Sequence, residues 1–550
     1  MARNTDTPAD VAARQARGEA AAAPPDDAQR QIRPSRQAIV IVHGQGQQRP
    51  MGTMRDFVRT LWITDHRLKP PVAPDKERDI WVVPDGKSGL LDLERITTEA
   101  ADGRKTDFFE LYYADLLDDT PFRKLWRWMQ RLLWISPNDV TPAMRWPWSL
   151  FWMLNIIVAT IAIAFGLYLP MLAGENLIAP LMRPEAMLWL VAAFVLVVLR
   201  LLPKFIPPVP GLRWLVNLLE KLPNMLVLLA VGIALTVVFW TIPSVWLGAA
   251  LGLLYYVGTT TFLPLFGDAA SYLSAQSETV APRQAVRERG LALLMALHDD
   301  PAYDRVVLVA HSLGTVLAYD LLTFMWHAVG PTKENPPDAA AADAIDAVDR
   351  HAAAIPPHTP WPLRHLRRYR KLQWAAFDIL RRQPTRAADG SPRRAGWKIS
   401  DFVSLGSPLA SAQFLVTDGS SEFAMLKEQR VMPTSPPVRY DSANYASTYP
   451  EAGGAVAHHA AVFSVVRWTN IYDRFNPVLV LIGDVISGVV GGEDRFGAAI
   501  YDRRVRIDRG GLFGRFVTHN DYWTDTSGTP GAPAAHIRAL RRAVDIAAGQ

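Results

Sequence analysis

Leu150 to Gly174 and Leu222 to Phe266 carry no charged residue, and Ala186 to Leu202 carries only Arg200. A helix needs about 20 apolar residues to cross the hydrocarbon core of a bilayer. The pattern predicts four spans, about 150–173, 184–203, 223–242 and 244–265, the last two parted near Thr241, Ile242, Pro243 and Ser244. The alternative for any single run is a buried core helix. Elsewhere the apolar runs are short. Gln37 to Val42, Arg305 to Ala310, Phe402 to Leu405, Ala461 to Trp468 and Ala498 to Ile507 have the length and β-branched content of strands, and Val316 to Trp326 reads as a helix.

Charge orients these elements. Arg123, Lys124, Arg127, Arg131 and Arg145 precede the first run, and Lys204, Arg213 and Lys221 lie between the second and third, whereas the expected outer loops hold Arg183 alone. Positive residues stay inside, so the flanking halves are expected to face the cytoplasm. Pro121 to Ile135 sets Trp126, Trp128 and Trp134 among four of these cations and reads as an interfacial helix on an anionic leaflet, spanning 121–148 with its flanks. Its alternative is a basic helix packed on the core. Residues 1–35 read as a disordered tail without the apolar region of a signal peptide.

The net charge of +5 fits contact with anionic lipid, while no nucleic-acid motif is present. The chain contains no cysteine, which excludes disulfides, thiolate catalysis and thiolate metal sites. It shows no phosphate loop of the GxxxxGK[ST] type and no HExxH, so neither a cofactor nor a metal is expected.

The chemistry is concentrated in a few short segments. Arg305 to Thr315, RVVLVAHSLGT, runs from a strand through a small-x-Ser-x-Gly turn into a helix. Such a turn holds a serine, here Ser312, in a strained and exposed conformation, with Ala310 and Gly314 small enough for the backbone to pass close by. The N–H of Leu313 then faces a developing oxyanion. The alternative is a serine that merely caps the helix. Gln37 to Gln48, QAIVIVHGQGQQ, ends a second strand in His43 and Gly44, which alone would be read as a tight turn.

With Asp473 in NIYDRF and His519 in THNDYW, the chain order Ser, Asp, His is the one α/β-hydrolases use. The segments together resemble the α/β-hydrolase superfamily, in its lipase and esterase branch, over roughly 37–117 and 267–523. Strand Phe402 to Leu405 with the following GSPL also looks like a loop of lipase-like members. The resemblance implies an α/β fold with a mostly parallel central sheet, interrupted here by the transmembrane insert. It implies a first part at 36–120 with the oxyanion loop, an insert at 149–266 and a second part at 267–550 with the serine turn. It further implies a second oxyanion N–H from Gln45, with His43, Gly44, His311 and Gly314 as supporting residues. One site built from both parts requires an even number of spans.

The family pattern is broken in two places. Ala310 replaces the first glycine of the serine turn, and the Asp-Pro-Val step of many relatives reads Asn476, Pro477, Val478. An asparagine cannot stabilise an imidazolium as a carboxylate does. Asp473 is the expected acid, with turn capping as its alternative role, and Asp484 is the reserve. Among the 12 histidines His519 is the expected base, because it follows the acid segment, whereas His458 and His459 precede it and His311 belongs to the serine turn. Residues 331–396 hold a basic amphipathic stretch, Trp361 to Arg381, and form a candidate lid or a passive excursion.

The expected function is a membrane-embedded serine hydrolase that cleaves carboxylic esters, with lipid esters as substrates because a site beside a bilayer meets them at high effective concentration. The competing readings are an acyltransferase using the same acyl-enzyme, a membrane-anchored pseudoenzyme or interaction protein suggested by Asn476, and a transporter. The last is disfavoured because the apolar runs hold no ionisable residue except Arg200.

Overall fold

The computed structural model describes residues 36–117 apart from 45–48, 64–79 and 101–102. It also describes 280–546 apart from 334, 357–360, 384–395, 418, 439–446, 452–453, 476–481, 485, 512–513, 516–517 and 528–532, together with isolated positions 145, 148, 149, 152, 156 and 272. The strands are β1 (Arg36–Val42), β2 (Ile80–Pro84), β3 (Glu94–Glu99), β4 (Lys105–Leu111), β5 (Arg305–His311), β6 (Ile399–Leu405), β7 (Thr448–Glu451), β8 (Gly454–Ala457), β9 (Arg467–Asp473) and β10 (Tyr501–Val505). The helices are α1 (Gly52–Val58), α2 (Val280–Asp299), α3 (Leu313–Val329), α4 (Ala339–Ala353), α5 (Leu363–Leu380), α6 (Ser420–Glu428) and α7 (Ala535–Ala543).

Eight strands form one mixed sheet in the order β10-β9-β6-β5-β1-β4-β3-β2, and β7 and β8 form a separate hairpin. The pairs from β10 through β4 are parallel, while β3 runs antiparallel to both β4 and β2. Strands β5 and β6 are buried along their whole length, as expected where both faces of a sheet are covered. Alternate residues serve two cores. Val40, Val306, Leu308 and Phe402 face one with α2 to α5, and Ile41, Val307, Val309 and Val403 face the other with α1 and α7.

The register sets the ends of the central strands side by side. Val42 of β1 lies opposite Ala310 of β5, His311 opposite Leu405 of β6, and Leu405 opposite Ile471 of β9. The loops that follow four parallel strands therefore leave the sheet at one level. Ligands of open parallel sheets bind in the crevice outside these carboxyl ends, where the order of connections reverses. Here the reversal falls at β1, which pairs with β4 on one side and β5 on the other.

The four-span insert is not seen. No helix among the described residues is long and apolar enough to cross a membrane. The helices that are seen are made for protein surroundings. Helix α2 has 20 residues but interleaves Arg283, Arg287, Glu288 and Arg289 with its buried positions. The more apolar α3 has only 17 and buries Leu317, Leu321 and Leu322 in the core. The runs expected as spans fall outside the described residues apart from Trp152 and Ile156. Outside them too lie 1–35 and, but for Arg145 and Trp148, the expected interfacial helix at 121–148.

The stretch considered as a lid holds α4 and α5. Tyr369 and Gln373 of α5 are fully buried and donate hydrogen bonds to the carbonyl of Phe463, just before β9. Trp374 of α5 stacks under the guanidinium groups of Arg305 and Arg467, the first residues of β5 and β9. This helix thus packs at the amino ends of the strands, opposite the crevice at their carboxyl ends.

At that amino end Asp401 is buried between Arg305, at 2.6 Å, and Arg467, at 2.8 Å, and accepts a further bond from Ser400. Burial alone would raise its pKa, but the two guanidinium groups outweigh it and hold the carboxyl below its ordinary range. Its stabilising contribution is therefore present above the ordinary carboxylate range and lost as the pH falls through the depressed value. Asp401→Ala is expected to cost about 3 kcal/mol by removing the shared partner of the buried Arg305 and the half-buried Arg467, read as a lowered urea midpoint at pH 7.

Candidate active site

Ser312 occupies the step from β5 to α3 with φ 52° and ψ −129°, a conformation non-glycine residues rarely adopt. Such backbone costs about 1–3 kcal/mol and persists only where the surroundings over-determine it. They do so here. The N–H of Ser312 donates to Leu405 of β6, and its carbonyl accepts from the N–H and the hydroxyl of Thr315. Thr315 also shares a 2.7 Å hydrogen bond with Ser407 in the loop after β6. Gly314 passes beneath the end of β1, where a Cβ would stand 2.2 Å from the carbonyl oxygen of His43.

The hydroxyl of Ser312 lies 2.8 Å from Nε2 of His519, and Nδ1 of His519 lies 3.0 Å from Oδ1 of Asp484. Asp484 is fully buried. Its Oδ1 also accepts from the N–H groups of Ile486 and Ser487, and its Oδ2 accepts from the hydroxyl of Tyr522 at 2.7 Å. Burial works to raise its pKa, but His519 and these hydrogen bonds prevail and hold it at about 2. An ionised Asp484 at neutral pH fixes the proton of His519 on Nδ1 and leaves Nε2 free to accept the proton of Ser312.

The carboxylate that faces His519 is thus Asp484, the reserve in the sequence reading, and not Asp473, the acid expected there. Asp473 ends β9 and turns to the segment before the base, accepting from Thr518 at 2.9 Å, Arg515 at 3.2 Å and the N–H of Ile507. Burial raises its pKa against the opposing pull of Thr518 and Arg515. The chain continues past Asp473 and returns at Gly483, which exchanges backbone hydrogen bonds with Arg515 and Thr518. That return brings Asp484 to the base. Asn476 lies outside the described residues, and with a carboxylate already on His519 it no longer signals a missing acid.

Two supporting histidines are held neutral by burial. His311 is brought to about 3, and it donates from Nε2 to the carbonyl of His519 at 2.7 Å, which fixes the backbone of the base. His43 is brought to about 4. Its Nε2 accepts from the N–H of Tyr113, its Nδ1 donates to Gly44, and its ring stacks on Tyr113. Gly44 abuts the nucleophile, since a Cβ there would stand 3.0 Å from that of Ser312. Leu313 opens α3, where its N–H has no intrahelical acceptor. Gln45, expected as the second oxyanion donor, lies outside the described residues.

Sequence reasoning passed over Tyr522, Ser487 and Gly406. Tyr522 is fully buried, and its hydroxyl receives the N–H of Asp473 and contacts Ser487 while donating to Asp484. Gly406 has φ 57°, and a Cβ there would press on Tyr522 at 2.8 Å and on Asp484 and His519 at 3.2 Å. The GSPL motif pointed to this loop but not to the reason for its glycine. No metal-ligating cluster of His, Asp and Glu occurs among the described residues.

The chain matches no family model, no curated protein and no solved structure.

Because Asp484 touches the base and Asp473 acts only through Thr518 and Arg515, the two asparagine variants are expected to separate. Asp484→Asn should slow labelling of Ser312 by a fluorophosphonate by about 10⁴-fold. Asp473→Asn should slow it by about tenfold, because displacing the base loop costs geometry and leaves the charge on the imidazole in place. Equal effects would contradict the assignment of Asp484.

Proposed function

We propose that this chain is a serine hydrolase that cleaves carboxylic esters through an acyl-enzyme on Ser312. The observation that carries the reading is the 2.8 Å hydrogen bond from the Ser312 hydroxyl to Nε2 of a histidine whose other nitrogen faces a buried carboxylate. Ser312 Oγ attacks the acyl carbonyl while its proton passes to Nε2 of His519. Asp484 stabilises the imidazolium without taking the proton. The carbonyl oxygen becomes an oxyanion within reach of the Leu313 N–H, at the first turn of α3. Collapse of the tetrahedral species breaks the bond to the alcohol, which leaves with the proton returned from His519. Water repeats the cycle, giving up its proton to His519 as it attacks the acyl-serine, and the acid is released.

Lipid esters are the narrower reading. Its support is the long uncharged runs in the sequence rather than the triad, so substrate class is tested apart from chemistry. Purified protein should release acid from short-chain p-nitrophenyl esters and be labelled at one serine by a fluorophosphonate, and Ser312→Ala should abolish both with the fold intact by circular dichroism. Retained ester cleavage in that variant would refute the proposal. A parallel panel of glycerophospholipids and acylglycerols would reveal whether long acyl chains raise kcat/KM above that of the short esters.

A further inference from the structure

The carboxyl end of β4 holds both sides of the connection that borders the nucleophile. On one side the hydroxyl of Tyr113 donates to the carbonyls of His43, at 3.0 Å, and Gly44, at 3.3 Å, and the Tyr113 N–H donates to the His43 ring. On the other side Glu110 accepts the N–H of Met51 at 2.6 Å, at the residue that caps α1. Met51 has φ 68°, a left-handed conformation held without the freedom of glycine. Gly44, at the near side of the same connection, touches Ser312.

Glu110 is an expensive way to hold one N–H. It is 1% exposed, and its Oε1 is buried with no hydrogen-bond partner among the described residues. A buried carboxylate oxygen without a donor costs more stability than an unpaired neutral amide does, and an apolar side chain carries no such cost. The groups that face it are Arg55 of α1, which is paired with Glu94 of β3, and Tyr112 beyond its own strand, while β1 places the apolar Ile41 beside it. No cation pairs with it directly among the described residues.

We propose that Glu110 and Tyr113 are positioning residues for the nucleophile, clamping the two ends of the β1–α1 connection so that Gly44 stays seated against Ser312. The inference rests on the serine hydrolase reading. Ionised Glu110 gives Met51 a charge-assisted bond, which is stronger than the bond of a neutral carboxyl. Burial, opposed by the Met51 N–H and by Arg55, pushes its pKa up to about 7 from an ordinary 4.5. The sign is that of a raised acid. The fold binds this proton more tightly than the unfolded chain does, so stability rises as the pH falls from above 7 towards 4.5, while the clamp weakens over the same range.

The test is the rate of fluorophosphonate labelling of Ser312 from pH 5.5 to 9 in the full chain, wild type beside Glu110→Gln and Tyr113→Phe. Glu110→Gln should label about tenfold more slowly than the wild type at pH 8 and at an equal rate at pH 5.5, the ratio of the two rates changing with an inflection near 7 while any pH dependence common to both proteins cancels. It should do so with a urea midpoint at pH 8 no lower than that of the wild type, which a merely structural role would not produce. Tyr113→Phe should label more slowly to a similar degree and keep the inflection, and it decides the matter if the glutamine variant does not fold. Wild-type rates and profiles in the folded variants would overturn the clamp while leaving the hydrolase reading intact. A folded wild type that does not label would overturn the hydrolase reading first.

Discussion

A carboxylate is buried in ionised form at low cost only where donors surround it, and Asp484 is buried completely. Its partners come from two places: His519 and Tyr522 from one segment, and the N–H groups of Ile486 and Ser487 from its own loop. Satisfying that charge fixes the approach of the loop after β9 to the segment that carries the base. Tyr522 ties the arrangement to the sheet, because the same hydroxyl receives the N–H of Asp473 at the end of β9. The orientation of His519, and through it the environment of Ser312, follows from where this charge is held.

Around that charge the site is packed by small residues and neutral rings. Gly314, Gly44 and Gly406 stand where any Cβ would strike a backbone carbonyl, Ser312 or the acid and base themselves. His311 and His43 contribute as hydrogen-bonding rings, since burial keeps both uncharged in the neutral range. The strained conformation of Ser312 is maintained by β6 on one side and by Thr315 and Ser407 on the other. Strain at one residue is thus supported by bonds to elements that are themselves central in the sheet.

The parts of the site with strong local constraints could be read along the chain. A strand that breaks into a serine turn and resumes as a helix is a local pattern, and Ser312 and Leu313 lie where it implies. His519 followed from its position after the last strands. The carboxylate that faces His519 was ranked second because Asp473 and Asp484 lie only eleven positions apart, one ending β9 and the other in the loop after it, and the distance to an imidazole is not written in sequence. Tyr522 was invisible for the same reason, being an aromatic residue among others until its hydroxyl is seen between two aspartates. The expected membrane insert rested on hydropathy alone, which cannot by itself distinguish a helix covered by lipid from one covered by protein.

The sequence by itself indicated β1, β5, β6 and β10 and the serine turn, because these depend on periodicity and on residues a few positions apart, whereas the run Ala461 to Trp468, expected as a strand, holds a 3-10 turn at Val462–Ser464 and enters β9 only at Arg467. Only the tertiary structure decided which carboxylate faces His519, which neighbours bond to the residues on either side of the β1–α1 connection, and that α5 packs at the amino ends of the strands. Those outcomes depend on groups well apart in the chain meeting within hydrogen-bonding distance, as Tyr369 and Phe463 do across 94 positions. Sheet order and register create such meetings, and pairing between distant strands leaves no local trace in the chain.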